Sequence, residues 1–264
     1  MVWNYPYNNA PSPAIGKENK HVDAAWILEC LKQAAENPAL SSSFGMAVFD
    51  LDATLLDNRP RVLRILRDIV KDAGNDLPEE AWELVNRIHP ATMQYRVKDT
   101  LRSIGISDVE HLEYFYKGWQ QRFFTNKYVT YDVPHPGAAE FVQRVSDLKL
   151  RVIYLTGRDT LGMRKGTLTA LNRYGFPLPE NKSVELITKP TFSQDDWTFK
   201  RNAIDQLRGR GKVVAVFDNE PKMSNLMKQA FPDAFNVFLD TMHSPDYEPL
   251  DSDIVILKNF LVPS

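Results

Sequence analysis

The feature that most constrains this chain is a short, unbroken apolar run that stops at two carboxylates: Met46-Ala47-Val48-Phe49, then Asp50-Leu51-Asp52. Three more segments share that form, Leu150 to Leu155, Val184 to Ile187 and Val213 to Phe217; Phe235 to Leu239 and Ile254 to Leu257 are weaker versions. A strand with one face in water alternates apolar and polar residues. Continuous apolar runs suit a parallel sheet covered on both faces by helices. Helical patterns lie between the runs. Ala138 to Leu148 carries Phe141, Val142 and Val145 on one stripe, Gly162 to Tyr174 ends at Gly175, and Thr198 to Leu207 and Pro221 to Phe231 complete the set. Strands alternating with helices predict right-handed βαβ units and an α/β, Rossmann-like core.

One stretch does not alternate. Between Asn58 and Val133 the sequence offers helical patterns and no strand. Pro60 opens a segment with Val62, Leu63, Leu66, Ile69 and Val70 in register, and Pro78 opens another through Trp82 and Val85. Thr92 to Ile104 and Ser107 to Phe124 follow. The expected organisation is an N-terminal arm and helix over 1–40, an α/β core from 41–58 and 134–264, and an inserted helical domain over 59–133. Within the first part, residues 1–20 read as irregular and His21 to Ala35 as a helix that ends at Asn37-Pro38; Ser41 to Gly45 reads as a loop.

Charge and cysteine content exclude several classes. Thirty-two Lys and Arg stand against 34 Asp and Glu, so no global field recruits nucleic acid or an anionic membrane. A single cysteine, Cys30, cannot close an intrachain disulfide. No run approaches the ~20 apolar residues of a membrane helix, and Met1 to Lys20 has no apolar secretory segment. A cytoplasmic location is the expectation, with a small molecule as partner and neither nucleic acid nor membrane. The oligomeric state is not readable.

Chemistry concentrates where the apolar runs end. In Phe49-Asp50-Leu51-Asp52-Ala53-Thr54, two carboxylates separated by one residue project at the carboxyl edge of the sheet, where open α/β sheets bind ligands. The second run ends in Thr156-Gly157-Arg158-Asp159 and the fourth in Asp218-Asn219-Glu220; Lys200 lies between them near the start of a helix. In the order Asp-x-Asp-x-Thr, Thr, Lys, Asp, residues 46–240 resemble the haloacid dehalogenase superfamily of phosphohydrolases.

The resemblance implies a Mg²⁺-dependent phosphatase acting on a small phosphate monoester, with an α-helical C1 cap inserted after the first motif. Asp50 would be the nucleophile that forms an aspartyl phosphate, and Asp52 the general acid and base. Asp50, the backbone carbonyl of Asp52 and Asp218 would hold Mg²⁺. Thr156, Gly157 and Lys200 would bind the phosphoryl oxygens, with Thr54 and Asn219 in support. Lys189, directly after the third strand, is the alternative to Lys200, whose spacing to Asp218 favours it. Glu220 could reach a metal directly or through water. A phosphomutase would use the same residues. A metal-independent dehalogenase would not need Asp52, and a non-catalytic relative would lack one of the motifs.

This chain departs from the family pattern at Ala53, where glycine is usual; if the position needs a positive φ, alanine costs on the order of 1 kcal/mol. The last motif also lacks a pair of adjacent aspartates. Arg158 and Asp159 read either as site residues or as a surface ion pair, His135 as a linker residue between two prolines, and Arg208 to Lys212 as a charged helix end. Tyr114, Phe115, Tyr116, Trp119, Phe123 and Phe124 crowd one helix; most would be its core, and one or two would face substrate. Asp57 to Pro60 and Asp132 to Gly137 are the expected hinges.

Overall fold

The computed structural model describes residues 11–37, 45–74, 76–180 and 183–262. The chain runs through β1 (His21–Val22), α1 (Ala24–Ala35), β2 (Gly45–Phe49) and β3 (Leu56–Asp57). A helical excursion follows: α2 (Arg59–Ala73), α3 (Glu79–Asn86), α4 (Val97–Ser103), α5 (Val109–Phe123) and α6 (Asn126–Val129), closed by β4 (Val133–Pro134). The chain then alternates through α7 (Ala138–Asp147), β5 (Arg151–Asp159), α8 (Arg164–Arg173), β6 (Val184–Lys189), α9 (Asp196–Arg208), β7 (Lys212–Asp218), α10 (Pro221–Ala230), β8 (Phe235–Leu239) and β9 (Val255–Leu257).

Seven strands form one parallel sheet in the order β1-β9-β8-β7-β2-β5-β6. From β2 the chain steps outward through β5 and β6, then returns to the other side of β2 and continues through β7, β8 and β9. The reversal places a crevice at the carboxyl ends of β2, β5 and β7, the switch point where such sheets bind ligands. The period-two geometry of β2 sends Ala47 and Phe49 to one face and Met46 and Val48 to the other, and all four are buried. On the first face Phe49 stacks on Phe217 at 4.5 Å, and Phe141 of α7 and Phe260 close the cluster. Burying each ring contributes roughly 1.5–3 kcal/mol. On the other face Met46 and Val48 meet Phe199, Ile204 and Leu207 of α9 and Met227 of α10. Being apolar on both faces is what makes these strands read as continuous apolar runs.

The helical excursion has a hydrophobic core of its own, with Leu66, Val85, Leu101 and Phe115 fully buried at its centre. Its two ends meet. β3 pairs antiparallel with β4, Leu56 opposite Pro134 and Asp57 opposite Val133.

Several local expectations are corrected. Residues 21–22 extend the sheet as β1 beside β9 instead of beginning the helix. Gly45 belongs to β2 instead of the preceding loop. Of the expected hinges, Asp57 to Pro60 and Asp132 to Gly137, the residues Asp57, Val133 and Pro134 belong to the paired β3–β4 ribbon. The helix expected over Thr92 to Ile104 is a single turn at Pro90–Thr92, an extended step and then α4, because the Thr100 hydroxyl accepts the Gln94 backbone N–H at 2.8 Å and stops the helix from starting earlier. Residues 1–10 of the expected arm and 41–44 of the expected loop lie outside the described residues. Residues 11–20 pack on the sheet edge, where Asn19 Nδ2 donates to the Asp251 and Ile254 carbonyls. Among the described residues no helix is long and apolar enough to cross a membrane.

Candidate active site

The crevice is built by three strand ends. Past Phe49 the Asp50 N–H still donates to the Phe217 carbonyl at 2.9 Å, which holds Asp50 beside Asp218 at the end of β7. The chain then turns sharply: the Leu51 carbonyl accepts from the N–H groups of Thr54, Leu55 and Leu56. Ala53 takes a left-handed φ of 57° in this turn, so the position does need the conformation that glycine adopts without strain. It is held there by its N–H to Leu56 at 2.7 Å and by the Thr241 hydroxyl, which donates to its carbonyl at 2.6 Å.

Lys200, on the first turns of α9, reaches under this turn. Its Nζ donates to Asp50 Oδ1 at 2.9 Å and Asp218 Oδ2 at 2.7 Å, and all three side chains are buried. Burial disfavours the ammonium, but Asp218 and Asp50 outweigh it and hold Lys200 above its ordinary range. Asp50 is raised, by burial first and then by the neighbouring charges of Asp218 and Asp52, against the pull of Lys200. Lys189 is elsewhere: it pairs with Asp196 at 2.7 Å and donates to the Gln194 carbonyl. Thr54 Oγ1 donates to Asn219 Oδ1 at 3.0 Å, and Asn219 Nδ2 donates to the Met242 carbonyl. This chain of bonds ties the first loop to the segment after β8. Thr156 is buried, and its hydroxyl accepts the Arg158 N–H at 3.3 Å. Gly157 lines the crevice; a Cβ there would come within 2.8 Å of the Asp196 carboxylate. Glu220 lines the crevice, and its backbone N–H donates to Asp218 Oδ1 at 2.9 Å. It accepts from the Ser244 N–H and the Tyr95 phenol, and burial followed by the Asp218 charge pushes it up to about 7.

Asp52 is held by groups that the sequence reading did not join to it. A bulge in β5 between Thr156 and Asp159 turns Arg158 toward the crevice. Its Nε and one terminal nitrogen donate to Asp52 at 2.7 and 3.0 Å, and a terminal nitrogen also meets Asp132 at 2.6 Å. Arg61, on the first turn of α2, donates to the same two carboxylates. Arg158 is 2% exposed and Arg61 and Asp132 are fully buried, which overturns the surface ion pair as a reading of Arg158. Burial alone would raise Asp52, but Arg158 and then Arg61 hold it well below the usual carboxylate range. Asp159 is buried too, and accepts the Gly162 N–H at 2.6 Å. Arg61 and Asp132 were missed because charged residues beside helix starts and prolines read as solvated. The available signal was the density of opposite charges at the two hinges, Asp57-Asn58-Arg59-Pro60-Arg61 and Asp132.

The donor set fits a hard divalent cation. Asp50 and Asp218 converge on one ammonium, the Asp52 backbone lies in the same loop, and the carboxylates are buried with negative charge in excess. Among the described residues no three His, Cys, Asp or Glu side chains gather at one point, since Asp52 faces the guanidiniums. The protein would thus supply two carboxylates and a carbonyl, in keeping with Mg²⁺, which retains several waters.

Above these groups lies a cavity of about 670 Å³ whose floor includes Asp50, Asp52, Gly157 and Lys200 and whose far wall comes from the helical excursion. Of the crowded aromatics on α5, Trp119, Phe123 and Phe124 line it, Phe115 is core, and Tyr114 and Tyr116 are partly buried against that core. His135 is buried behind the ribbon and faces no part of the cavity. Arg208 and Arg210 are paired with Asp205 and Glu185 on the surface.

Among solved structures, a protein from Clostridium difficile described as a candidate phosphatase is similar to this chain at a TM-score of 0.52 with 14% identity, over 82% of this chain and 95% of that one. A haloacid dehalogenase-like hydrolase from Streptococcus pneumoniae gives a TM-score of 0.49 with 10% identity, over 83% and 95% of the two chains. CbbY from Rhodobacter sphaeroides, in complex with phosphate, gives 0.48 with 15% identity over the same shares. At such identities the first of these supports the fold alone. None of the curated proteins is significantly similar in sequence. The haloacid dehalogenase-like hydrolase family matches residues 45–222, from the first residue of β2 through Asp50, Lys200 and Asp218 to the start of α10. The chain belongs to that family.

Proposed function

We propose that this protein is a Mg²⁺-dependent phosphatase that hydrolyses a small phosphate monoester through an aspartyl phosphate on Asp50, with residues 59–133 acting as a C1 cap. The observation that carries the reading is the Asp50–Lys200–Asp218 cluster, of which Asp50 and Lys200 open onto a cavity of about 670 Å³. A carboxylate oxygen of Asp50 attacks phosphorus, the ester oxygen departs, and water then attacks the acyl phosphate to release inorganic phosphate and restore Asp50. Lys200, with Thr156 and Gly157, holds the phosphoryl oxygens. Asp50, the Asp52 carbonyl and Asp218 would hold Mg²⁺, which would offset the repulsion between these carboxylates and a phosphate dianion.

Asp52 moves the protons. As the carboxylate that Arg158 and Arg61 maintain, it suits the second half of the cycle, where it takes a proton from the attacking water. Protonating the departing oxygen requires Asp52 to carry a proton first. Arg61 stands on α2 and Arg158 in the sheet, so a displacement of the cap would remove the Arg61 bond and keep the Arg158 bond.

The test is phosphate release by the purified protein, with Mg²⁺, from a panel of sugar, nucleoside, glycerol and aromatic phosphates. Release from at least one, lost in Asp50→Asn, supports the reading. Phosphoryl transfer without net release indicates a mutase, and no reaction with any ester overturns the proposal.

A further inference from the structure

The side chains that face the reacting groups across the cavity describe the other end of the substrate. Three rings from the last turns of α5 form one wall. Trp119 and Phe123 lie 4.6 Å apart and tilted by 33°, and Phe124 meets Phe123 edge to face at 5.0 Å. Phe192, from the loop after β6, meets Phe124 at 4.8 Å and joins this wall to the core. None of the three α5 rings is fully buried, and all line the cavity.

The rest of the apolar lining is unusual in composition. The chain has seven methionines, and four of them, Met93, Met163, Met223 and Met242, line this one cavity from four separate segments. Ordinary core packing would draw on the far more abundant leucine and valine. Thioethers are polarisable, adapt to irregular shapes and make favourable contacts with ring edges. Lys222 and Ser244 add polar groups to the lining from the core side, and Gln94 and Tyr95 add them from the helical excursion, away from the three rings in sequence.

From this arrangement we infer that the enzyme selects phosphate esters whose alcohol carries an aromatic ring, an inference that rests on the phosphatase reading above. The phosphoryl group sits at Asp50 and Lys200, the ring lies against Trp119 and Phe124 among the methionines, and polar substituents face the core side. A polyol in the same place would find one unpartnered donor on the ring wall, the buried Trp119 indole N–H, and would leave its other hydroxyls against rings and thioethers, which disfavours it. The volume of about 670 Å³ holds a ring-bearing small molecule. The ring could be a simple aryl group or a nucleobase.

Two matched pairs test this with the Mg²⁺-loaded enzyme: benzyl phosphate against cyclohexylmethyl phosphate, and adenosine 5′-monophosphate against ribose 5-phosphate. Within each pair the leaving oxygens are of similar basicity. The aromatic member of at least one pair should have a kcat/KM about three- to tenfold higher, and the winning pair separates an aryl from a nucleoside source. Trp119→Leu or Phe124→Leu should bring that ratio within about twofold of unity. Ratios near unity in both pairs for the wild type, or ratios unmoved in both folded variants, overturn the inference. If no ester at all is turned over, the phosphatase reading has failed. Ring preference is then read by quenching of tryptophan fluorescence: tighter binding of benzylphosphonate than of cyclohexylmethylphosphonate supports the aromatic site, and equal binding overturns it.

Discussion

Acid should act on this fold through His135 in a way that can be isolated. His135 lies where the chain returns from the helical excursion; its backbone N–H donates to the Leu55 carbonyl at 2.9 Å and the residue is 6% exposed. Burial, assisted by Arg59 and opposed by Asp57 and by a backbone hydrogen bond at Ala53, pushes the imidazole down to about 4. An unfolded chain takes up this proton near the ordinary value of about 6.5. The stability that comes from keeping His135 neutral is therefore complete above about pH 6.5 and is lost as pH falls toward 4. A separation of about 2.5 units at 1.36 kcal/mol each amounts to about 3 kcal/mol, of which about 2 should be lost by pH 5. Urea titrations of the wild type and His135→Gln from about pH 7.5 to about pH 5 isolate it, because the carboxylates are common to both proteins. The stability difference between the two should move by about 2 kcal/mol in favour of the variant as pH falls. A difference constant to within about 0.5 kcal/mol over that range would refute the assignment.

Other perturbations read the site directly. Asp50→Asn should abolish turnover while leaving the urea midpoint near that of the wild type; retention of more than a few per cent of the activity in uncontaminated protein removes Asp50 as nucleophile. Chelator should eliminate activity and Mg²⁺ restore it, with Asp218→Ala requiring metal concentrations higher by orders of magnitude; full activity in excess chelator points to metal-free chemistry. Arg158→Gln leaves Asp52 and Asp132 sharing one guanidinium, and should lower unfolding stability by about 3–5 kcal/mol; a loss under about 1 kcal/mol means that the buried pairs do not hold the fold together. Phosphorylated proteins and 3′-phosphorylated oligonucleotides should be poor substrates, and a kcat/KM equal to that of the best small ester would show that the cap does not limit size.

The strands around the site were legible because each is apolar on both faces and ends in a residue with chemistry to offer, as Phe49-Asp50 and Phe217-Asp218 do. The preference for Lys200 over Lys189 came from its spacing to Asp218 in the family pattern, and Lys200 is the lysine that meets Asp50 and Asp218. Two-residue strands were not: His21–Val22, Leu56–Asp57 and Val133–Pro134 are too short to carry a period. Nor was the Arg61–Asp132–Arg158 network. A buried arginine and a solvated one look the same in a sequence, and the bulge that turns Arg158 inward is a property of pairing with β6. On α5 the aromatic residues were visible, but the division between Phe115 in the core and Trp119 at the cavity depends on how the helix is rotated against α2.

The β3–β4 ribbon has an engineering consequence. With Leu56 opposite Pro134 and Asp57 opposite Val133, the sheet-bearing part of the chain reads residues 58–132 as the loop of a hairpin. Closing entropy rises only slowly with loop length, by about 0.6 kcal/mol per doubling, so the ribbon can accept very different cargo without changing its register. A transplant made at these four residues would carry the whole aromatic wall to another scaffold in one piece. What the remaining part would lack is Asp132 and Arg61, the partners of Arg158 in the ion network. A recipient would therefore need an arginine at the position of Arg158, and a replacement insert a carboxylate at the position of Asp132.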